Sequence, residues 1–102
     1  MTTHPYKTAV ITNAATTSGQ VDLVGLKAGA ILFPAAFTGA TISFEIPDGA
    51  GGWSTLDSVS LTKVVGKFVA LTEAQAFALG DDFRIVSASS EAAERTLYIA
   101  PR

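Results

Sequence analysis

The chain has 102 residues, 48% hydrophobic and 16% charged, with a formal net charge of −2 and no cysteine. That length suits one domain with one core, the mild acidity lacks the basic face that nucleic acid requires, and without cysteine there is neither a disulfide framework nor a thiolate metal centre. No apolar run approaches the roughly 20 residues of a membrane helix, and MTTHPYKTAVIT lacks the basic-then-apolar pattern of a secretion signal, so the reading is a soluble protein made in the cytoplasm with no membrane or nucleic-acid partner.

Residues 1–7, MTTHPYK, are polar and interrupted by Pro5, which predicts a flexible docking arm ahead of a single domain over residues 8–102. A first strand is expected over Thr8 to Thr12. The small, polar NAATTSG then suits a solvated loop, and Gln20 to Val24 alternates up to Gly25 as a second strand. Ala30 to Phe33 is a short continuous apolar run of the kind expected of a strand buried on both faces, and Pro34 ends it.

Thr41 to Ile46 alternates most cleanly, with Ile42, Phe44 and Ile46 on one face and Thr41, Ser43 and Glu45 on the other. The turn residues PDGAGG reverse the chain, and Trp53 to Leu56 is placed as the returning strand of a hairpin. Further strands are expected over Ser58 to Val64 and Lys67 to Leu71.

One helix is expected, near residues 73–79. Thr72 as N-cap with Gln75 three residues on makes a capping box, Gly80 supplies the stop, and Leu71 with Ala76 forms a hydrophobic staple. Phe83 to Ala88 and Arg95 to Ile99 complete the strands, with SSEAAE between them as an exposed loop. Short, closely spaced strands with a single helix indicate an all-β fold, a β-sandwich or jelly-roll-like domain.

The residues offer little chemistry. His4, the sole histidine, lies in the arm, away from any partner that would position it as a base. The acidic doublet Asp81–Asp82 reads as a solvated turn, with Asp82 paired to Arg84 or Arg95; a calcium site would need six or more oxygens. DGAGG is not followed by a helix start, so it is no phosphate loop. Trp53 is expected to fold back into partial burial; the competing reading is a sugar platform or an interface anchor at a loop tip. No catalytic, metal or cofactor residues are assigned.

The charged fraction of 16% is below the roughly 25% of an average domain, which points to a surface partly covered by a partner, in an oligomer or a larger assembly.

The stretch ILFPAAFTGATISFEIPDGAGGWSTL resembles small virion proteins of tailed bacteriophages, with their apolar strand, Pro-Ala-Ala-Phe-Thr-Gly, alternating Phe strand and Asp-Gly turn. KFVALTEAQAFALGDDFRIVSAS resembles that family's strand, short helix, strand unit, and EAAERTLYIAPR its closing strand. Pro47 and the glycine-rich DGAGG depart from the tighter Ser, Asp, Gly turn that relatives often have. The resemblance implies a non-enzymatic capsid decoration or cement protein on the virion surface, a homo-oligomer with a trimer favoured, bound to the major capsid lattice. His4, Pro5, Tyr6 and Trp53 are its candidate partner-binding residues. The alternative is a tail-associated or host-glycan-binding adhesion module, which would present Trp53 with Tyr98 or Phe37 on one exposed face.

Overall fold

In the computed structural model the described residues are 6–102; His4 and Pro5 lie outside them. The strands run β1 (Lys7–Ile11), β2 (Val21–Asp22), β3 (Ala28–Leu32), β4 (Thr41–Pro47), β5 (Trp53–Thr62), β6 (Phe68–Ala70), β7 (Asp82–Ser87) and β8 (Arg95–Pro101), with helix α1 (Glu73–Leu79) between β6 and β7. Among the described residues they form two four-stranded antiparallel sheets, ordered β1-β8-β3-β6 and β2-β7-β4-β5. The chain changes sheet at every connection except the β4–β5 hairpin. The fold is an all-β sandwich with one short helix, and no described helix is long and apolar enough to cross a membrane.

Alternation decides which side chains fill the space between the sheets. Ala9 and Ile11 of β1, Leu97 and Ile99 of β8 and Ile31 of β3 point inward from one sheet. From the other come Ile42 and Phe44 of β4, Phe83 and Ile85 of β7 and Val21 of β2. Ring edges meet ring faces across this core, Phe44 against Phe83 with centroids 5.7 Å apart and Phe33 against Phe37 at 5.4 Å, the geometry that the aromatic quadrupole favours.

The capping box forms as the sequence specifies. Thr72 Oγ1 accepts from Gln75 N at 3.1 Å, Gln75 Oε1 accepts from Thr72 N at 2.9 Å, and Gly80 ends the helix at φ 70°. With Ala76 and Leu79 buried and Leu71 packed against the core, α1 carries the chain from one sheet to the other.

Several boundaries differ from expectation, each for a local reason. Pairing of Lys7 with Ile99 starts β1 one residue inside the expected arm. The second strand shrinks to Val21–Asp22 because Val24 (φ 52°) and Gly25 (φ 85°) turn the chain, with Val24 N donating to Asp22 Oδ1 and Gly25 N to Asp81 Oδ2. The two strands expected over 53–64 are one strand, β5, which accommodates a bulge between its pairings to Ser43 and Glu45.

Ala30 to Phe33 is not buried on both faces. Ile31 and Phe33 enter the core, but Ala30 and Leu32 are half-buried on the opposite side of the sheet, which no other layer of the described chain covers.

The loop expected to be exposed holds the most buried carboxylate among the described residues. Glu91, 1% accessible, accepts from Thr38 N at 2.8 Å, Gly39 N at 3.0 Å, Ser87 Oγ at 2.8 Å and Arg95 Nε at 3.2 Å. Its own backbone bonds to the turn after β1, receiving Ala14 N at 2.8 Å and donating to Ala15 O at 3.0 Å. Gly39 is required here, since a Cβ would collide with Ser87 Oγ. Burial alone would raise the pKa of Glu91; the donors from Thr38, Ser87, Gly39 and Arg95 together outweigh it and hold the carboxyl below its usual 4.5.

A folded-state value below the unfolded one means that Glu91 contributes stability above about pH 4.5 and loses it as pH falls through the folded value. Glu91→Ala, which strands Arg95 and two backbone donors, should destabilise the protein by about 3 kcal/mol at neutral pH. Glu91→Gln should also be destabilised there, and its urea midpoint should vary less with acidification than that of the unsubstituted protein. Equal acid slopes would remove Glu91 from this role.

Candidate functional site

With the inner faces committed to the core, any partner must meet the loops, the edges or the two outer faces, and these outer faces differ in chemistry. On the β2-β7-β4-β5 sheet, alternation turns Thr41, Ser43 and Glu45 of β4 outward, beside Thr62, Ser60, Thr55 and Trp53 of β5 and Asp82, Arg84 and Val86 of β7. Apart from Trp53 and Val86 this face is polar. At its centre Arg84 Nε bonds Glu45 Oε1 at 2.5 Å, and the Arg84 guanidinium carbon lies 4.8 Å from the centre of the Trp53 ring.

Trp53 is thus half-buried, as the sequence reading expects, and its place is the first position of β5 opposite Pro47. The loop before it is closed by Asp48, whose Oδ1 accepts from Ala50 N at 2.8 Å and Gly52 N at 3.1 Å, while Gly49 and Gly51 adopt φ of 82° and 88°. Those two backbone donors lower the pKa of Asp48, so the acid serves the turn.

The outer face of the β1-β8-β3-β6 sheet is built otherwise. Register places Thr8, Tyr98, Leu32 and Phe68 in one row across all four strands, and Ala100, Ala30 and Ala70 in the adjacent row. Val10 and Thr96 lie to the other side. These outward strand positions carry no ionisable group except the Tyr98 phenol. Tyr6 (59% accessible), Phe68 (45%), Tyr98 (43%) and Val10 (37%) leave much apolar surface in water.

Tyr6 organises this face. It precedes β1 at one edge, yet its ring stacks on Phe68 of β6 at the other, with centroids 5.8 Å apart and planes 28° from parallel. The edges of a four-stranded sheet are separated by three strand spacings, about 14 Å, so the contact closes over the strands between. Tyr6, Phe68 and Tyr98 wall a shallow pocket of about 280 Å³ that also includes Leu32.

Of the residues that the sequence singles out for partner binding, Tyr6 and Trp53 are in the described structure, on opposite sheets. The aromatic set of the glycan reading does not assemble: Phe37 is 2% accessible in the core and Tyr98 faces away from Trp53 on the other sheet. Asp82 pairs with neither arginine. Its Oδ1 accepts from Gln20 Nε2 at 2.7 Å, because Arg84 is engaged by Glu45 and Arg95 by Glu91. Among the described residues there is no group of three or more His, Asp or Glu side chains that could hold a metal ion. Leu32 and Phe68 are the site residues that sequence reading missed, while Tyr98 is singled out there only as a partner for Trp53, from which the fold separates it. Their signal was present in three strands whose outward positions are apolar, but only register shows that these positions share a row.

The contact of Arg84 with Trp53 and Glu45 is partly solvated, so Arg84→Ala should lower stability by only about 1 kcal/mol. It should also shift Trp53 emission to longer wavelength as the ring loses its cover. An unchanged spectrum would show that the guanidinium does not shield the indole in solution.

No family model matches the chain, and no curated protein or solved structure matches it either.

Proposed function

We propose that this protein is a non-enzymatic structural protein of a tailed-bacteriophage virion: a capsid decoration, or cement, protein that binds the major capsid lattice as a homo-oligomer and stabilises the head. The observation that carries the reading is the uncharged outer face of the β1-β8-β3-β6 sheet, with Tyr6, Phe68 and Tyr98 exposed on it. A contiguous apolar face opposite a polar one is the pattern of a subunit whose working state covers one side with protein. The order of strand, Pro-Ala-Ala-Phe-Thr-Gly, Asp-Gly turn and capped helix supports the virion assignment through its resemblance to that family. The carboxylates of Glu91, Asp48 and Glu45 hold loops and strands, which suits a structural role.

Such a protein acts by adding interface. A module bound across neighbouring shell subunits is released only when every contact opens, so the shell gains resistance to rupture without any reaction. Several weak contacts made by an oligomer add up through effective concentration.

Purified protein mixed with mature capsids stripped of minor proteins should co-sediment to a saturating, fixed number of copies per shell and raise the temperature at which the shells rupture. Protein left wholly in the supernatant would overturn the decoration assignment and favour a tail-associated or adhesion module.

A further inference from the structure

We propose that the uncharged outer face of the β1-β8-β3-β6 sheet is a self-association surface, occupied by the same face of a second copy of this chain related by a two-fold axis. The inference deepens the assembly reading by naming what covers that face, and rests on that reading only for the expectation that the face is covered.

Charge selects the occupant. Burying a charged group against a surface with no counter-charge is costly, so a surface bearing scattered Lys, Arg, Asp and Glu is a poor match for the outward positions around Tyr98 and Leu32. A second copy brings a sheet face equally free of such groups and of the same extent. A two-fold pairing places a patch against itself, so a charge near the axis would meet its own copy. Here none does, because the outward strand positions hold no Lys, Arg, Asp or Glu and the bordering cations, Lys27 and Arg102, pair through their backbones at the far end of the β3–β8 ladder.

Shape suits such a pair, and area limits its strength. The pocket bounded by Tyr6, Leu32, Phe68 and Tyr98 accepts an apolar side chain, and the exposed rings beside it can stack on their equivalents across the axis. Four strands at about 4.8 Å spacing, averaging about five residues at about 3.3 Å, give a projected footprint of about 300 Å² per copy. Standard stable interfaces bury about 800 Å² per partner, so the pair falls at the small, transient end and should be reversible, with a Kd of micromolar order or weaker. Two-fold pairing differs from the trimer that the family resemblance favours, and solution mass separates the two.

Sedimentation equilibrium of the full chain from about 5 μM to about 1 mM, a range that reaches from such a Kd to a far weaker one, should show a monomer–dimer equilibrium. Phe68→Lys, at an exposed position on this face, should weaken it at least about tenfold. Thr62→Lys, exposed on the opposite sheet, should leave it unchanged. If Phe68→Lys does not fold, as judged by its melting curve, Tyr98→Ser should give the same weakening without introducing a charge. Monomer throughout the range, a trimer as the first associated species, or equal effects of Phe68→Lys and Thr62→Lys would each overturn the proposal. A monomer that still saturates capsids would make the shell lattice the occupant, sinking this inference and sparing the decoration reading. A dimer that ignores capsids would do the reverse.

Discussion

The carboxylate of Glu91 is the constraint on which the arrangement of the two sheets depends. Its acceptors are filled by Thr38 and Gly39 from the β3–β4 connection, Ser87 from the end of β7 and Arg95 from the start of β8. Its backbone fastens the turn after β1. Three of the connections by which the chain passes between the sheets therefore meet at one buried charge. A buried acid with fewer partners would take up a proton; this one has enough donors to remain ionised, and each donor is a loop held in place. A protein with little charge has placed one charge where it organises chain crossings.

That arrangement leaves the strands free to differ outside. In β4 the outward residues Thr41, Ser43 and Glu45 are what solvent requires, and Arg84 reaches across from β7 to pair with Glu45 and cover Trp53. In β3, β6 and β8 the outward residues are Leu32, Phe68, Tyr98, Thr96 and three alanines. Both sheets contribute equally well to the core, so stability within one chain does not explain the difference. The proposed pairing of two copies would, since residues idle in a monomer become an interior when two faces meet.

The local chemistry of the sequence was legible and the long-range chemistry was not. The Thr72–Gln75 capping box, Gly80 as helix stop and the two faces of β4 are set by near neighbours, and each is where the pattern places it. Glu91 sits in SSEAAE, a stretch that looks solvated because nothing nearby in sequence announces Gly39 or Arg95 as partners. Trp53 was legible as a half-buried aromatic, while its Arg84 cover belongs to a strand reached only after the helix. Ala30 to Phe33 is the instructive miss. A continuous apolar run says that both faces avoid water and is silent on whether the second cover comes from the same chain.

The self-association surface follows from that same run. A two-layer sandwich provides one cover per sheet, so a strand apolar on both sides needs a third layer. Among the described residues the chain has used its helix elsewhere, packed against β3 and β5 as the crossover from β6 to β7. Tyr6 closes part of the gap by reaching from the β1 edge to Phe68, yet it remains 59% accessible and adds another ring to the surface instead of hiding it. Supplying the missing layer from a second copy completes both sandwiches at once, with no charge to neutralise on either side. It also separates two tasks, because the polar face around Trp53, Arg84 and Glu45 stays open on each copy for a different kind of contact. A pair built this way would present two such faces pointing in opposite directions, so an attachment made through both must bridge surfaces and cannot be made to a single flat one. Attachment to one shell would instead have to use the loops and edges at the rim of the paired sheets, where both copies can meet the same surface.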